Sequence, residues 1–377
     1  MVHTKLRVGG GVVIDRRQTK LHKFGAGSGT KISYSKDGYA RVKAAKIGSA
    51  RLERDDSLSC YPRWAPPTCI ISDGPYGLGK FPGEPKTPRN LAEWYAPHVA
   101  AWSAHAKTDT TLWFWCTEIG WALVHPVMEM HGWQYEECNI WDKGVAHVAG
   151  NCNSKTIRGT PVVTEVAVRY TKRNKLPSDD GQMLSIKEWV RHEWLRSGLP
   201  MSKANVACGV ANAATRKYLT QCHMWYFPPP EAIVRMAEYC EAYGRPTARP
   251  YFALDGITPV TEDAWRKMRA KWTHTHGITN VWQEPAVHGR ERIRADIGYL
   301  HANQKPLALM ERQILACTDP GDVVWEPFGG LCSASVAALQ LGRQSFSAEI
   351  NPDYFKVATS RLQEEFASIT ESREDAA

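Results

Sequence analysis

The sequence predicts a Rossmann-like, doubly wound α/β sheet interrupted by a helical insertion. Two observations point there. Short apolar runs alternate with helical stretches over residues 51–175, and α/β character returns over residues 276–366 after a helical interlude at 176–275. In both α/β parts an apolar run ends in a glycine-bearing loop: Ser72-Asp73-Gly74-Pro75-Tyr76-Gly77 early, and Glu326-Pro327-Phe328-Gly329-Gly330 late. Ligands of open α/β sheets bind at such strand ends.

Residues 1–50 mix Gly, Lys, Arg and Ser with little periodicity, so a basic arm or small β extension is expected, solvated or touching phosphate. Residues 68–72 form a buried parallel strand opening into the first motif. Strand-like runs follow at 111–116, 137–141 and 162–170, with helices over 91–106 and 119–130 between the earlier ones. The tryptophans here, among them Trp94, Trp102, Trp113, Trp115, Trp121, Trp133 and Trp141, read as packing between helices and sheet rather than a base-stacking surface.

A charged, turn-rich break at 172–180 marks a domain edge. Helical stretches are then expected at 186–196, 202–207 and 212–220, with Cys208-Gly209-Val210 as the turn between the last two. This is a helix-turn-helix pattern whose third stretch, bearing Thr215, Arg216 and Lys217, can enter a major groove; three simply packed helices are the alternative. Further on, 322–325 is a strand, 331–341 a helix stopped by Gly342, and 345–350 a second strand ending near Glu349. That βαβ unit, with Gly329 and Gly330 between strand and helix and an acid roughly 20 residues on, suits a nucleoside cofactor, its ribose hydroxyls bonded to Glu349. Residues 367–377 are expected to be a disordered tail.

The chain has 377 residues, a net charge of +8, and 43% hydrophobic against 23% charged residues, which fits an ordered globular protein with an anionic partner. Ten cysteines without a Cys-x-x-Cys pair read as reduced thiols, not a zinc site, and His274-Thr275-His276 reads as a surface loop. With neither a bilayer-length apolar run nor a signal-type opening, the expected location is the cytoplasm.

The first motif suits chemistry on an exocyclic amine, whose lone pair is shared with its ring until acceptors engage the amino hydrogens. Asp73 supplies a carboxylate, Gly74 a carbonyl in a turn stiffened by Pro75, and Tyr76 a ring to stack on an extruded base. Extrusion costs a few kcal/mol, and stacking returns roughly 1–3 kcal/mol.

Together these two motifs, the segment His301-Ala302-Asn303-Gln304-Lys305-Pro306-Leu307, and Leu341-Gly342-Arg343 resemble the bacterial and phage DNA amino-methyltransferases over roughly residues 50–366. The order, catalytic part first and donor part last, is that of the family's β class. The resemblance implies S-adenosyl-L-methionine as methyl donor, held by Glu326, Phe328, Gly329, Gly330 and Glu349, with Asn303, Lys305 and Pro306 lining its methionine end. It further implies that Asp56, or Asp55 one step away, faces the donor's adenine, and that Asp73 to Tyr76 form the catalytic loop. The implied substrate is a flipped base in duplex DNA, adenine N6 favoured over cytosine N4. A homodimer and a cognate restriction endonuclease sharing the target site are implied as possible partners. The chain departs from the family at Gly74, where proline is usual, and at Cys332, where a third glycine is common. Those departures keep open an inactive, DNA-binding regulator.

Overall fold

The computed structural model describes residues 43–79, 83–148, 157–289, 291–293, 301 and 303–374. The expected arm over 1–42 lies outside them. At 43–53 the chain is a hairpin, β1 (Ala44–Ile47) and β2 (Ala50–Glu53), turning at Gly48 with φ +55°. A short helix α1 (Ser57–Cys60) follows, capped by Asp56, whose carboxylate accepts from the Leu58 amide.

The first α/β part runs β3 (Cys69–Ser72), α2 (Leu91–His105), β4 (Thr111–Cys116), α3 (Glu118–Met130), β5 (Trp133–Asp142) and β6 (Thr164–Lys172). Both β3 and β4 are buried at every position, which is why their sequences are unbroken apolar runs rather than alternating ones. A ribbon of β7 (Lys175–Pro177) and β8 (Met183–Ser185) leads into the insertion, α4 (Ile186–Arg196), α5 (Lys203–Ala207), α6 (Pro230–Tyr243) and α7 (Glu262–Arg266). The late part comprises β9 (Val281–Gln283), α8 (Leu307–Cys317), β10 (Val323–Glu326), α9 (Ser333–Gln340), β11 (Gln344–Ala348) and α10 (Pro352–Glu374).

Nine of these strands form one sheet in the order β1-β2-β11-β10-β3-β4-β6-β5-β9. From β2 to β4 the neighbours are parallel, and β6 runs antiparallel to β4. The early β3 lies directly against the late β10, with Cys69 opposite Val324 and Ile70 opposite Trp325. From β3 the chain moves outward to β4 on one side, and from β10 to β11 on the other. The loops at their carboxyl ends therefore diverge, leaving a crevice where the winding reverses.

Tryptophans fill the core as the sequence predicts: Trp102, Trp113, Trp115, Trp133 and Trp325 are fully buried, and the Tyr61 ring stacks on Trp325 at 5.2 Å. The insertion has its own core around Trp189, Trp194, Ile233, Met236 and Trp265. Within it, buried Glu193 pairs with Arg196 at 2.7 Å and accepts from the amide of Phe252, a left-handed residue at φ +58°.

Two expectations are corrected. The stretch 212–220 is not a recognition-type α-helix; it is a five-residue π turn, Ala214–Tyr218, in which the Leu219 amide reaches back to the Ala214 carbonyl. The wider turn brings Ala214, Tyr218 and Leu219 to the insertion's core together, and tertiary burial overrides the simple helical period. Gly209 does turn the chain ahead of it, at φ +65°. The tail expected to be disordered is helical through Glu374, because Phe355, Ala358, Leu362 and Ile369 repeat at helical spacing and pack against the β1–β2 hairpin. Among the described residues no helix is long and apolar enough to cross a membrane.

Candidate active site

A cavity of about 540 Å³ opens at the carboxyl ends of β3 and β10. Asp73, Gly74 and Pro75 line it from the first motif, and Glu326, Phe328, Gly329, Gly330 and Glu349 from the second. Asp55 and Asp56 at the start of α1, and Asn303 and Lys305 ahead of α8, complete the predicted set. Tyr76 and Pro306 are absent from the lining; Pro306 sits at the N-terminal cap of α8.

The two motifs touch. A Cβ on Gly74 would fall 2.5 Å from the Phe328 ring and 2.5 Å from the Tyr95 hydroxyl. Phe328 and the Tyr95 hydroxyl occupy the space a side chain at position 74 would need. The loop is nevertheless held: the Glu84 carboxylate accepts from the amides of Tyr76 at 2.9 Å and Leu78 at 3.1 Å, and Tyr95 donates to the Pro75 carbonyl at 3.1 Å. Trp94, read from the sequence as packing, and His98, missed there, form an aromatic wall with Phe328, at 5.5 and 5.1 Å between ring centres. Burial pushes His98 down to about 4, so it is neutral at physiological pH. They lie four residues apart on α2, a spacing legible in the sequence though indistinguishable there from core packing.

In the glycine turn, Gly330 adopts φ +52°, and a Cβ there would lie 3.2 Å from the His301 ring. Cys332 takes the left-handed conformation a glycine would, at φ +56°, and its buried thiol faces Ser347 rather than the cavity. Replacing glycine there changes the residue, not the backbone path. Glu349 accepts from the amides of Gly330 and Asn351, both at 2.7 Å, and burial raises its carboxyl to about 7. Glu326 is engaged elsewhere: it accepts from the Ala334 amide and from the Ser335 amide and hydroxyl at 2.7–3.0 Å, capping α9, with its carboxyl also raised by burial to about 7. Its carboxylate anchors the helix behind the turn.

Tyr76 departs from the expected stacking role. Its side chain is buried, and its hydroxyl lies 3.0 Å from Asp73 Oδ1 and 2.9 Å from Glu165 Oε2. Lys305 lines the cavity, and its ammonium, almost wholly buried, donates to Asp73 Oδ1 at 2.7 Å and the Tyr76 hydroxyl at 3.1 Å and pairs with Glu165 Oε2 at 3.2 Å. Lys143 closes the set on Glu165 Oε1 at 2.5 Å. Burial works against the Glu165 carboxylate, but Lys305 and Lys143 outweigh it and hold it down at about 2. Burial raises the Asp73 carboxyl above its ordinary value, with Lys305 opposing in part and the Glu165 charge adding to the rise. Glu165 escaped the sequence reading; its only signal was an acid at the head of the apolar strand β6.

Thr215, Arg216 and Lys217 lie away from the cavity, in the insertion. Arg216 and Lys217 are exposed, whereas the Thr215 hydroxyl is bonded to Asn205 at 3.1 Å and ties the π turn to α5. Among the described residues no group of three or more His, Cys, Asp or Glu is placed to hold a metal ion.

Two outcomes follow from this geometry. Gly74→Ala destabilises the fold by about 1–3 kcal/mol through overpacking, and combining it with Phe328→Ala recovers about 1 kcal/mol relative to additivity. Urea titrations of the four proteins measure this, and strict additivity sinks the contact. Because Glu349 is raised from an ordinary 4.5 to about 7, the folded state binds the extra proton. Its contribution, on the order of 3 kcal/mol, is present below pH 4.5 and lost as pH rises through 7. Glu349→Gln should flatten stability between those limits; an unchanged slope in melts from pH 5 to 8 contradicts the assignment.

Residues 68–360 match the family described as DNA methylase, of the N6/N4 type. A stretch of 91 residues, 24% of the chain, is 41% identical to the DNA adenine methyltransferase YhdJ of Escherichia coli K12, covering 30% of that protein. Another of 88 residues, 23% of the chain, is 38% identical to the type II methyltransferase M.HpaI of Haemophilus parainfluenzae, covering 27% of it. The chain thus spans under a third of the length of these curated relatives. Among solved structures, the M1.HpyAVI–SAM complex aligns over 83% of this chain and 99% of its own, at 15% identity and a TM-score of 0.43. The cytosine-N4-specific PvuII DNA methyltransferase aligns over 86% and 96%, at 12% identity and a TM-score of 0.47. With the family match extending over well more than half of its length, this chain belongs to the DNA methylase family.

Proposed function

We propose that the chain transfers a methyl group from S-adenosyl-L-methionine to the exocyclic amino group of a base flipped out of duplex DNA, adenine N6 favoured over cytosine N4. One observation carries the reading: the acidic turn after β3 and the glycine turn after β10 line a single cavity and meet at Gly74 and Phe328. The preference for adenine rests on Asp73 at the first catalytic position and on the stretch of likeness to an adenine methyltransferase.

The residues present fit the donor. The cavity has the size of a nucleoside-ligand site, one wall is aromatic, and the close approach of His301 to Gly330 leaves no room for a side chain on the turn. Glu349 would accept from ribose hydroxyls, Asp56 would face the adenine amino group, Phe328 would lie along the ring, and Asn303 with Gly329 and Gly330 would hold the methionine end. Bound there, the donor supplies an electrophilic sulfonium methyl. Lys305 lines the same cavity and also holds Asp73.

Asp73 is the acceptor for one amino hydrogen and the Gly74 carbonyl for the other, which localises the nitrogen lone pair for attack. Its oxygen Oδ1 receives both Lys305 and Tyr76, so Oδ2 is the one assigned to the base. The product's extra proton leaves after transfer, and a strong base is not required. The insertion, residues 176–275, serves as the target-recognition region, with Arg216 and Lys217 on phosphates or base edges of a specific site. The setting is cytoplasmic DNA modification in restriction-modification or in protection of phage or host DNA.

Asp73→Asn should lower methyl transfer to duplex DNA by about 10²-fold or more while donor binding persists. Radiolabel transfer followed by nucleoside digestion measures this and names the methylated base; full activity in the variant removes Asp73 from the chemistry. Replacing Arg216 and Lys217 together by alanine should weaken DNA binding and reduce the slope of log affinity against log salt by about 2. An unaltered slope moves the phosphate contacts elsewhere.

A further inference from the structure

Glu165 stands on β6, a strand that carries none of the motif residues, yet it shares both partners of Asp73. The Lys305 ammonium donates to Asp73 and to the Tyr76 hydroxyl and forms an ion pair with Glu165, so the two carboxylates share its charge. The Tyr76 hydroxyl has one proton and two carboxylates within 3.0 Å, so it donates to one at a time. Formal charges balance, two carboxylates against two ammonium groups, in a buried site where an uncompensated charge is costly.

We propose that Glu165 is a positioning residue for Asp73: by drawing part of the Lys305 charge and the Tyr76 proton to itself, it keeps Asp73 fixed in place without neutralising it as a hydrogen-bond acceptor. This rests on the methyl-transfer reading above. Without Glu165, both Lys305 and Tyr76 converge on Asp73 alone, and its free oxygen becomes a poorer acceptor for the amino hydrogen. Lys143 acts in the opposite sense, since it occupies Glu165 and thereby limits how much of Lys305 Glu165 can claim. Among the described residues, the charged and titratable groups facing this set of Asp73, Glu165, Lys305 and Tyr76 are Lys143 after β5, Cys116 on β4, Tyr95 on α2, His301 ahead of Lys305 and His147 beyond Lys143. The raised carboxyl of Asp73 and the low one of Glu165 have the directions this division of charge requires.

The test compares full-length wild type, Glu165→Gln and Lys143→Met in steady-state methylation of duplex DNA from pH 5 to 9, with donor affinity by calorimetry. For Glu165→Gln, kcat should fall about tenfold or more near pH 7, donor affinity and the KM for DNA should stay within about twofold, and the acidic limb of the kcat profile should move to lower pH. For Lys143→Met the limb should move to higher pH. Opposite displacement supports the proposal, and it is a sign that loss of folding cannot imitate. Both limbs unmoved, or both moved the same way, overturns it while leaving the methyl-transfer reading intact. A wild type that binds donor but methylates no DNA overturns that reading instead.

Discussion

Pairing of β10 against β3 is the constraint on which the site depends. Two backbone matches, Val324 with Cys69 and Trp325 with Ile70, set the tips of two strands some 250 residues apart in the chain side by side and pointing the same way. A parallel neighbour can be joined only by a long crossover, so a chain can place a whole helical insertion between such strands without disturbing their register. The pair is held by burial: Trp325 is enclosed by Tyr61 and Trp64 at 5.2 and 5.1 Å, and its indole N–H donates to the Ala65 carbonyl at 2.8 Å. Slippage by one residue would turn Trp325 to the other face of the sheet, at the cost of one of the largest buried side chains in the core.

On that frame the site is fastened by side chains. Asp73 and Lys305 lie 232 positions apart and meet at 2.7 Å, and Glu165 comes in from β6, two strands from β3. Such a group of buried charges contributes little to net stability, because desolvation offsets most of the attraction, but it tolerates few arrangements. Its value is geometric: four charges and a hydroxyl leave the Asp73 carboxyl in one orientation at the cavity wall.

The departures from the family pattern at Gly74 and Cys332 lose their force once the backbone is seen. Gly74 gives up the stiffness of proline, and Glu84 and Tyr95 hold the chain just after it by fixing the Tyr76 and Leu78 amides and the Pro75 carbonyl. Cys332 occupies a left-handed position that disfavours side chains by roughly 1–2 kcal/mol. Its thiol is fully buried among Val336, Leu339 and Phe355, and that burial offsets the strain.

Much was legible in the sequence because it depends on local pattern. Unbroken apolar runs gave β4 its bounds to the residue, Gly209 and Gly342 marked turns, and the two glycine-bearing motifs named eight of the residues that line the cavity. Periodicity failed where long-range packing set the outcome: 214–218 became a π turn to seat Tyr218 and Leu219, and 367–374 continues α10, whose Phe355, Ala358, Leu362 and Ile369 pack with a hairpin far upstream. Roles failed for the same reason. A lysine, a tyrosine and a glutamate in three separate segments carry no sign in the sequence that they share one proton and two pairs of charges; Lys305, Tyr76 and Glu165 acquire that relation only when β3, β6 and the start of α8 converge. Sequence thus determined which residue types and strands are present, since propensity and hydrophobic period act over neighbours. Tertiary structure alone decided which charges meet, since burial and Coulomb attraction act on distance in space.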